Sequence, residues 1–228
     1  MLLWHGQLCT MITISSLAER EFERSIELNP RYATARHWFG MSLGAMGRYE
    51  EAYTELKRAI RLEPQLSVIH FGLAFVYWCA RRYDQAIEAC EKALELDPTA
   101  GQAYLWLGLA SLAKLMHEPA IAAIRKAVEI SQAAPVAVAC LGEAYAAAGY
   151  SDEAQKILQK LSQQRHVTAY FVGRICAALG KNNEALEWLE AGFRSRGEWL
   201  ILLKTDPRLD GLRPDPRFQY LMRRMNFP

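Results

Sequence analysis

Residues Ser67–Ala100, SVIHFGLAFVYWCARRYDQAIEACEKALELDPTA, decide the fold. Leu73 and Tyr77, then Ala86, Cys90, Ala93 and Leu94, recur at spacings of three, four and seven, which is the period of a helix and not of a strand. Two helices are predicted, over 67–80 and 83–96. Asp97-Pro98 closes the second, because Pro cannot continue a helix.

The same unit recurs along the chain. Ala18, Ala52, Ala86, Ala120 and Ala154 each stand 34 residues after the last. Twelve residues before each stand Gly6, Gly40, Ala74, Gly108 and Gly142; seven after stand Ser25, Ala59, Ala93, Ala127 and, less well, Leu161. Pro30, Pro64 and Pro98 end the first three units. Small side chains at fixed places imply helices that approach closely, since larger ones would force the backbones apart. Gly47, Gly149 and Gly180 sit where paired helices turn, a place that favours a left-handed residue. Arg81 and Leu115 hold that column in two other units, where a left-handed conformation costs each about 1 kcal/mol. Irregularity is expected at those two turns. Helix pairs are predicted near 33–46/49–62, 67–80/83–96, 101–114/117–130, 135–148/151–163 and 166–179/182–195. No segment alternates like a half-buried strand.

These columns resemble the tetratricopeptide repeat (TPR) family, in which small, apolar and proline positions recur within a 34-residue helix-turn-helix unit. Gly40, Leu43, Ala52, Leu56, Ala59 and Pro64 carry the pattern in one unit, and Ala74, Tyr77, Ala86, Cys90, Ala93 and Pro98 in the next. The resemblance covers about residues 1–195. It implies an all-α, right-handed TPR superhelix, an α-solenoid of about five and a half repeats. The array is assigned to 1–197, with its first repeat incomplete, and a capping segment to 198–228. The chain departs from the pattern at Gln132, where Pro is expected. The spacing from Ala154 to Ala185 is only 31, so the link Ser162–His166 is shortened and the last unit is expected to pack at a different angle.

Composition narrows the function. With 51% hydrophobic and 23% charged residues the chain is neither collagenous nor disordered. A net charge of +2 is too balanced to mark a nucleic-acid binder. The longest nearly apolar run, Leu66 to Ala80, contains His70 and falls short of the roughly 20 residues a spanning helix needs, so no membrane insertion is expected. The first sixteen residues lack Lys and Arg, unlike a signal peptide. Five cysteines, none closer in sequence than Cys79 and Cys90, point to reduced thiols in a cytoplasmic protein.

Catalytic patterns fail on context. Gly40-Met41-Ser42-Leu43-Gly44 matches the nucleophile elbow, which needs a strand-to-helix turn, but here falls in mid-helix. His117-Glu118 lacks the second His of a zinc hydrolase, and no phosphate-binding glycine loop occurs. No catalytic residue, metal site or cofactor is expected, and the chain is read as a non-enzyme.

After Gly197 the periodicity stops. Asp206-Pro207-Arg208-Leu209 and Asp215-Pro216-Arg217-Phe218 repeat one theme, with Asp as helix cap and Pro as first helical residue. Phe218, Leu221, Met222 and Met225 then share one face of a short helix, read as a cover for the end of the solenoid. Residues 199–228 carry a net charge of +3. This tail resembles the ends of TPR arrays in bacterial signalling proteins, which implies a docking or sensing role.

In the family, first helices of successive repeats line a concave groove that binds partners. Carried over residue by residue, that face holds His37, Trp38, Met41, Phe71, Phe75, Trp78, Trp106, Leu109, Glu143, Tyr170 and Arg174. The aromatic residues are expected to anchor a partner, with Glu143 and Arg174 orienting it. Some relatives clamp a carboxylate with Lys, Asn and Arg; the matching His37, Met41, Gly72, Gln102 and Trp106 cannot do so. An open, apolar trough for an apolar peptide or amphipathic helix is therefore expected. The leading expectation is a protein-interaction scaffold with a protein or peptide partner and no nucleic acid. A small-ligand or signal-peptide sensor and a self-associating, homo-oligomeric module are the alternatives.

Overall fold

A computed structural model describes residues 15–164, 169–195 and 197–225. Gly6, His166 and Val167 lie outside the described residues, as does the end of the shortened link at 165–166. Among the described residues every regular element is helical. α1 (Ser15–Leu28) precedes five antiparallel pairs: α2 (Ala33–Ala45) with α3 (Tyr49–Leu62), α4 (Ser67–Cys79) with α5 (Tyr83–Leu96), α6 (Gly101–Ala113) with α7 (His117–Ile130), α8 (Pro135–Ala147) with α9 (Ser151–Ser162), and α10 (Ala169–Ala178) with α11 (Asn182–Arg194). Two 3-10 segments, Glu198–Lys204 and Pro207–Leu212, lead to α12 (Pro216–Met225).

The small columns mark where helices touch. A Cβ added at Gly40 would sit 2.6 Å from Leu56 Cγ, and one at Gly108 would sit 2.4 Å from Ile124 Cγ1. Each glycine therefore lets the first helix of a pair meet the second at near-backbone distance. Ala52, Ala86, Ala120 and Ala154 are fully buried on the second helices for the same reason.

The turns keep one geometry whatever the residue. Gly47, Gly149 and Gly180 have φ of +84°, +86° and +73°. Arg81 and Leu115 adopt it too, at 60° and 61°, so the expected irregularity resolves into strain without distortion. The repeat that lacks its proline ends differently. Gln132 and Ala133 both take positive φ, and the Ala133 amide donates back to the Val128 carbonyl, closing α7 with a wider turn.

Two kinds of helix give the array its sidedness. The second helices carry one apolar stripe and face outward. The first helices α2, α4, α6 and α8 are buried over most of their circumference. Successive first helices pack on each other, whereas second helices meet chiefly their own partner and the next first helix. The first helices thus line the inner, concave side.

Candidate peptide-recognition groove

The concave side is filled. Past α11 the chain turns back, and the run Trp199–Leu203 is buried throughout. The Trp199 ring packs 5.2 Å from Phe171 on α10. Thr205 then donates its hydroxyl to the Ala45 carbonyl at the end of α2, at 3.2 Å. Asp206, Arg208 and Asp210 follow within the second 3-10 segment and its cap. One short stretch therefore reaches α2, α4, α8 and α10, bridging the first helix pair to the last.

Its centre is a buried ion cluster. Asp206 has no exposed surface. Its carboxylate accepts from the Arg208 amide (2.9 Å), from Arg208 Nε (2.8 Å) and Nη2 (2.7 Å), and from the Tyr170 hydroxyl. Arg208 Nη1 reaches Glu143 Oε2 at 3.1 Å, and the guanidinium lies over Trp78, 4.8 Å from the ring centre. Glu143 also accepts from Arg174 Nε at 2.8 Å. Arg174 in turn stacks on Tyr170 and Phe171. Each buried charge thus has an opposite partner, without which burial would be prohibitive. Burial pushes the Asp206 carboxyl up, but Arg208 and Arg174 outweigh it and hold the group below its ordinary range. Burial and the neighbouring Asp206 carboxylate push the Tyr170 hydroxyl well above its usual range. At the rim, Arg81 Nη2 meets Asp210 at 2.7 and 2.8 Å, with both side chains substantially exposed.

Of the eleven residues expected in the groove, Trp78, Glu143, Tyr170 and Arg174 converge on this cluster. Phe75, Trp78 and Trp106 form one aromatic group, with Trp106 5.0 and 5.4 Å from the other two. His37 packs against Trp38 and Phe71 farther along the same face, and Met41 and Leu109 are buried. The expectation of an open trough is corrected: the chain's own residues 198–212 fill it, because the apolar run needs cover and the groove supplies it. The tail divides in two: its first part runs along the first helices, and α12 sits at the last helix pair. α12 lies against α11, with Arg217 Nη2 donating to Asn183 Oδ1 at 2.8 Å and Arg224 over the Phe193 ring, and it buries Phe218 and Leu221. In sequence, Asp206 and Arg208 have the form of a helix start and nothing marks Thr205 or Asp210, so the pattern does not disclose these four as groove contacts. The apolar run just before them is the available signal.

Polar atoms remain unpartnered near the N-terminal half of the face. Both ring nitrogens of His37, Oε1 of Gln102 and Nε1 of Trp106 are buried without a hydrogen bond. Burial depresses the His37 pKa to about 4, keeping the ring neutral near pH 7. Ser42, the centre of the elbow-like motif, is buried in mid-helix, and its flanking glycines abut Leu56 and Val76. Cys79, Cys90, Cys140 and Cys176 are buried thiols whose pKa values are raised chiefly by burial.

The repeat geometry has a counterpart in known sequences. Family models described as tetratricopeptide repeat match residues 67–100 and 101–133, and one described as TPR repeat matches 40–78. The chain is a tetratricopeptide-repeat protein. No curated protein matches it. Among solved structures, a thermophilic TPR protein of Thermus thermophilus is similar at 20% identity, covering 76% of this chain and 97% of that one, with a TM-score of 0.66. MamA is similar at 22% identity, covering 77% and 89%, with a TM-score of 0.50. A MamA fragment from Desulfovibrio magneticus gives 19%, 69% and 90%, and 0.52. At these identities the likeness is one of fold. The TPR fold indicates a protein-interaction scaffold, generally non-catalytic. Among the described residues no helix of this TPR array is long and apolar enough to cross a membrane.

Proposed function

We propose that this TPR protein is a non-enzymatic scaffold whose concave groove recognises an apolar, extended segment of a protein partner. One observation carries the reading: Trp78, Glu143, Tyr170 and Arg174 already grip a peptide stretch, residues 198–212, through stacking and paired charges. A surface that orders a peptide in cis has the complementarity to order one in trans. Half-buried Trp38 and Gln102 extend that seat toward its N-terminal end, with an aromatic face and an amide suited to a partner segment. The buried thiols fit a reducing, cytoplasmic setting. The resemblance of the tail to bacterial signalling proteins supports a role for the scaffold in such a system.

Cross-linked capture of partners by the full chain tests the reading. Trp38→Ala with Gln102→Ala, at half-buried groove positions, should reduce capture at least about tenfold, the loss typical of removing a principal contact. Tyr150→Ala, at an exposed turn, should leave capture unchanged. Equal capture by the unmodified chain and both variants would remove the groove from the function.

A further inference from the structure

We infer that the groove selects its partner by a charge pair, an acidic residue two positions before an arginine, set a short spacer after an apolar run; residues 199–212 are the chain's internal copy of that ligand. The inference rests on the recognition reading above and specifies its chemistry.

The groove presents charges in a fixed order. Glu143 is buried and divides its two oxygens, Oε1 to Arg174 and Oε2 to Arg208. An occupant without a cation at that point leaves Oε2 unpaired in a buried setting. The face of Trp78 beside it takes a planar guanidinium better than an ammonium, which selects Arg over Lys. On the α10 side the Tyr170 hydroxyl donates to a carboxylate. The two features lie as far apart as the ends of one Asp-Pro-Arg turn, in which Asp206 already caps the Arg208 amide. Proline at the middle position fixes the turn before binding. Upstream, the covered inner side takes Trp199 through Leu203. The partner segment thus has the form apolar run, short spacer, Asp-Pro-Arg, apolar residue. The internal copy competes with it at an effective concentration on the order of millimolar, as a tethered ligand does. Partner binding is thereby restricted to ligands that outcompete the tail.

The test uses the full chain and a labelled peptide of residues 199–212. A second peptide carries Asp206→Arg and Arg208→Asp, with the same composition and apolar run. The release variant is the full chain with Arg208→Gln. The native peptide should bind this variant at least about tenfold tighter than it binds the unmodified chain, and the swapped peptide at least about tenfold weaker, as expected for a buried charge pair. Equal binding of the two peptides would overturn charge selection while leaving an apolar groove in place. Binding of neither peptide to a variant that keeps its helical circular dichroism would close the seat to outside segments and overturn the recognition reading as well. Should the variant lose its helicity, hydrogen exchange in the unmodified chain decides. Excess native peptide must speed exchange of the amides of 199–209 and the swapped peptide must not; no acceleration overturns the inference. A concentration-dependent dimer that disappears with Arg208→Gln would assign the seat to the tail of a second copy and overturn a separate partner.

Discussion

Asp206-Pro207-Arg208 and Asp215-Pro216-Arg217 are the same turn in two settings. In both, the arginine amide donates to the aspartate two residues earlier, at 2.9 and 2.8 Å. In both, the guanidinium returns to the same carboxylate through Nε and Nη2. The first is buried at the centre of the groove, with its Asp side chain at 0% exposure and its Arg at 13%; the second sits at 27% and 46%. Local sequence sets the hydrogen-bond pattern, and surroundings set its energetic meaning. At the exposed turn water competes for every bond. At the buried turn each group lost leaves its partners stranded.

Removing the arginine at each turn tests that contrast most severely. Arg208→Ala leaves Asp206 short of its main counter-charge and Glu143 half-paired, and should cost about 3–5 kcal/mol. That is a large share of the stability of a domain of this kind. Arg217→Ala should leave the urea midpoint where it is. Comparable shifts in the two variants would mean the groove admits water and the contrast is wrong. Acid should separate the turns as well. The folded Asp206 carboxyl titrates below the value near 3.9 of an unfolded chain. The native state then binds fewer protons, so the stability this group lends is whole above that pH and is lost as pH falls through the folded value. In Asp206→Asn that loss below about pH 4 should flatten, at the expense of lower stability at neutral pH. Asp215→Asn should keep the neutral-pH stability of the parent chain.

The other end of the concave face has a different acid sensitivity. His37, held neutral by burial and titrating at about 4 instead of 6.5, resists a proton that the unfolded chain accepts. Stability should therefore fall as pH drops from about 6.5 to 4, by about 3 kcal/mol in all, and His37→Phe should abolish that slope. Urea melts at a series of pH values would read the two windows separately. A slope that persists in His37→Phe would place the acid sensitivity elsewhere.

Most of the fold was legible because the 34-residue columns are local rules repeated. The small residue at each helix contact, the left-handed turn at Arg81 and Leu115 and the proline that ends the first three units all follow from one unit's geometry. The candidate groove residues came from laying the family's concave positions onto that register. What covers them did not, because the contact between Arg208 and Glu143 joins residues far apart in sequence, and no periodicity encodes it. Asp206 and Asp215 look alike in sequence. Only the run Trp199–Leu203 ahead of the first turn, set against the Arg213-Pro214 ahead of the second, distinguishes a segment that needs cover from one that does not.

The smallest effects concern what holds the tail, its buried floor or its exposed rim. Arg81 and Leu115 share one strained turn conformation, so glycine at either relieves about 1 kcal/mol of backbone strain, offset by about 0.4–1 kcal/mol of added freedom in the unfolded chain. Leu115→Gly should therefore be neutral to slightly stabilising. Arg81→Gly loses in addition the ion pair to Asp210. The difference between the two variants measures that rim contact, and at this exposure it should stay below about 1 kcal/mol. It should also shrink in high salt, where the loss from Arg208→Ala should persist. If Arg81→Gly instead proved as damaging as Arg208→Ala, the tail would hang from its exposed edge, and the buried turn would owe its order to that tether.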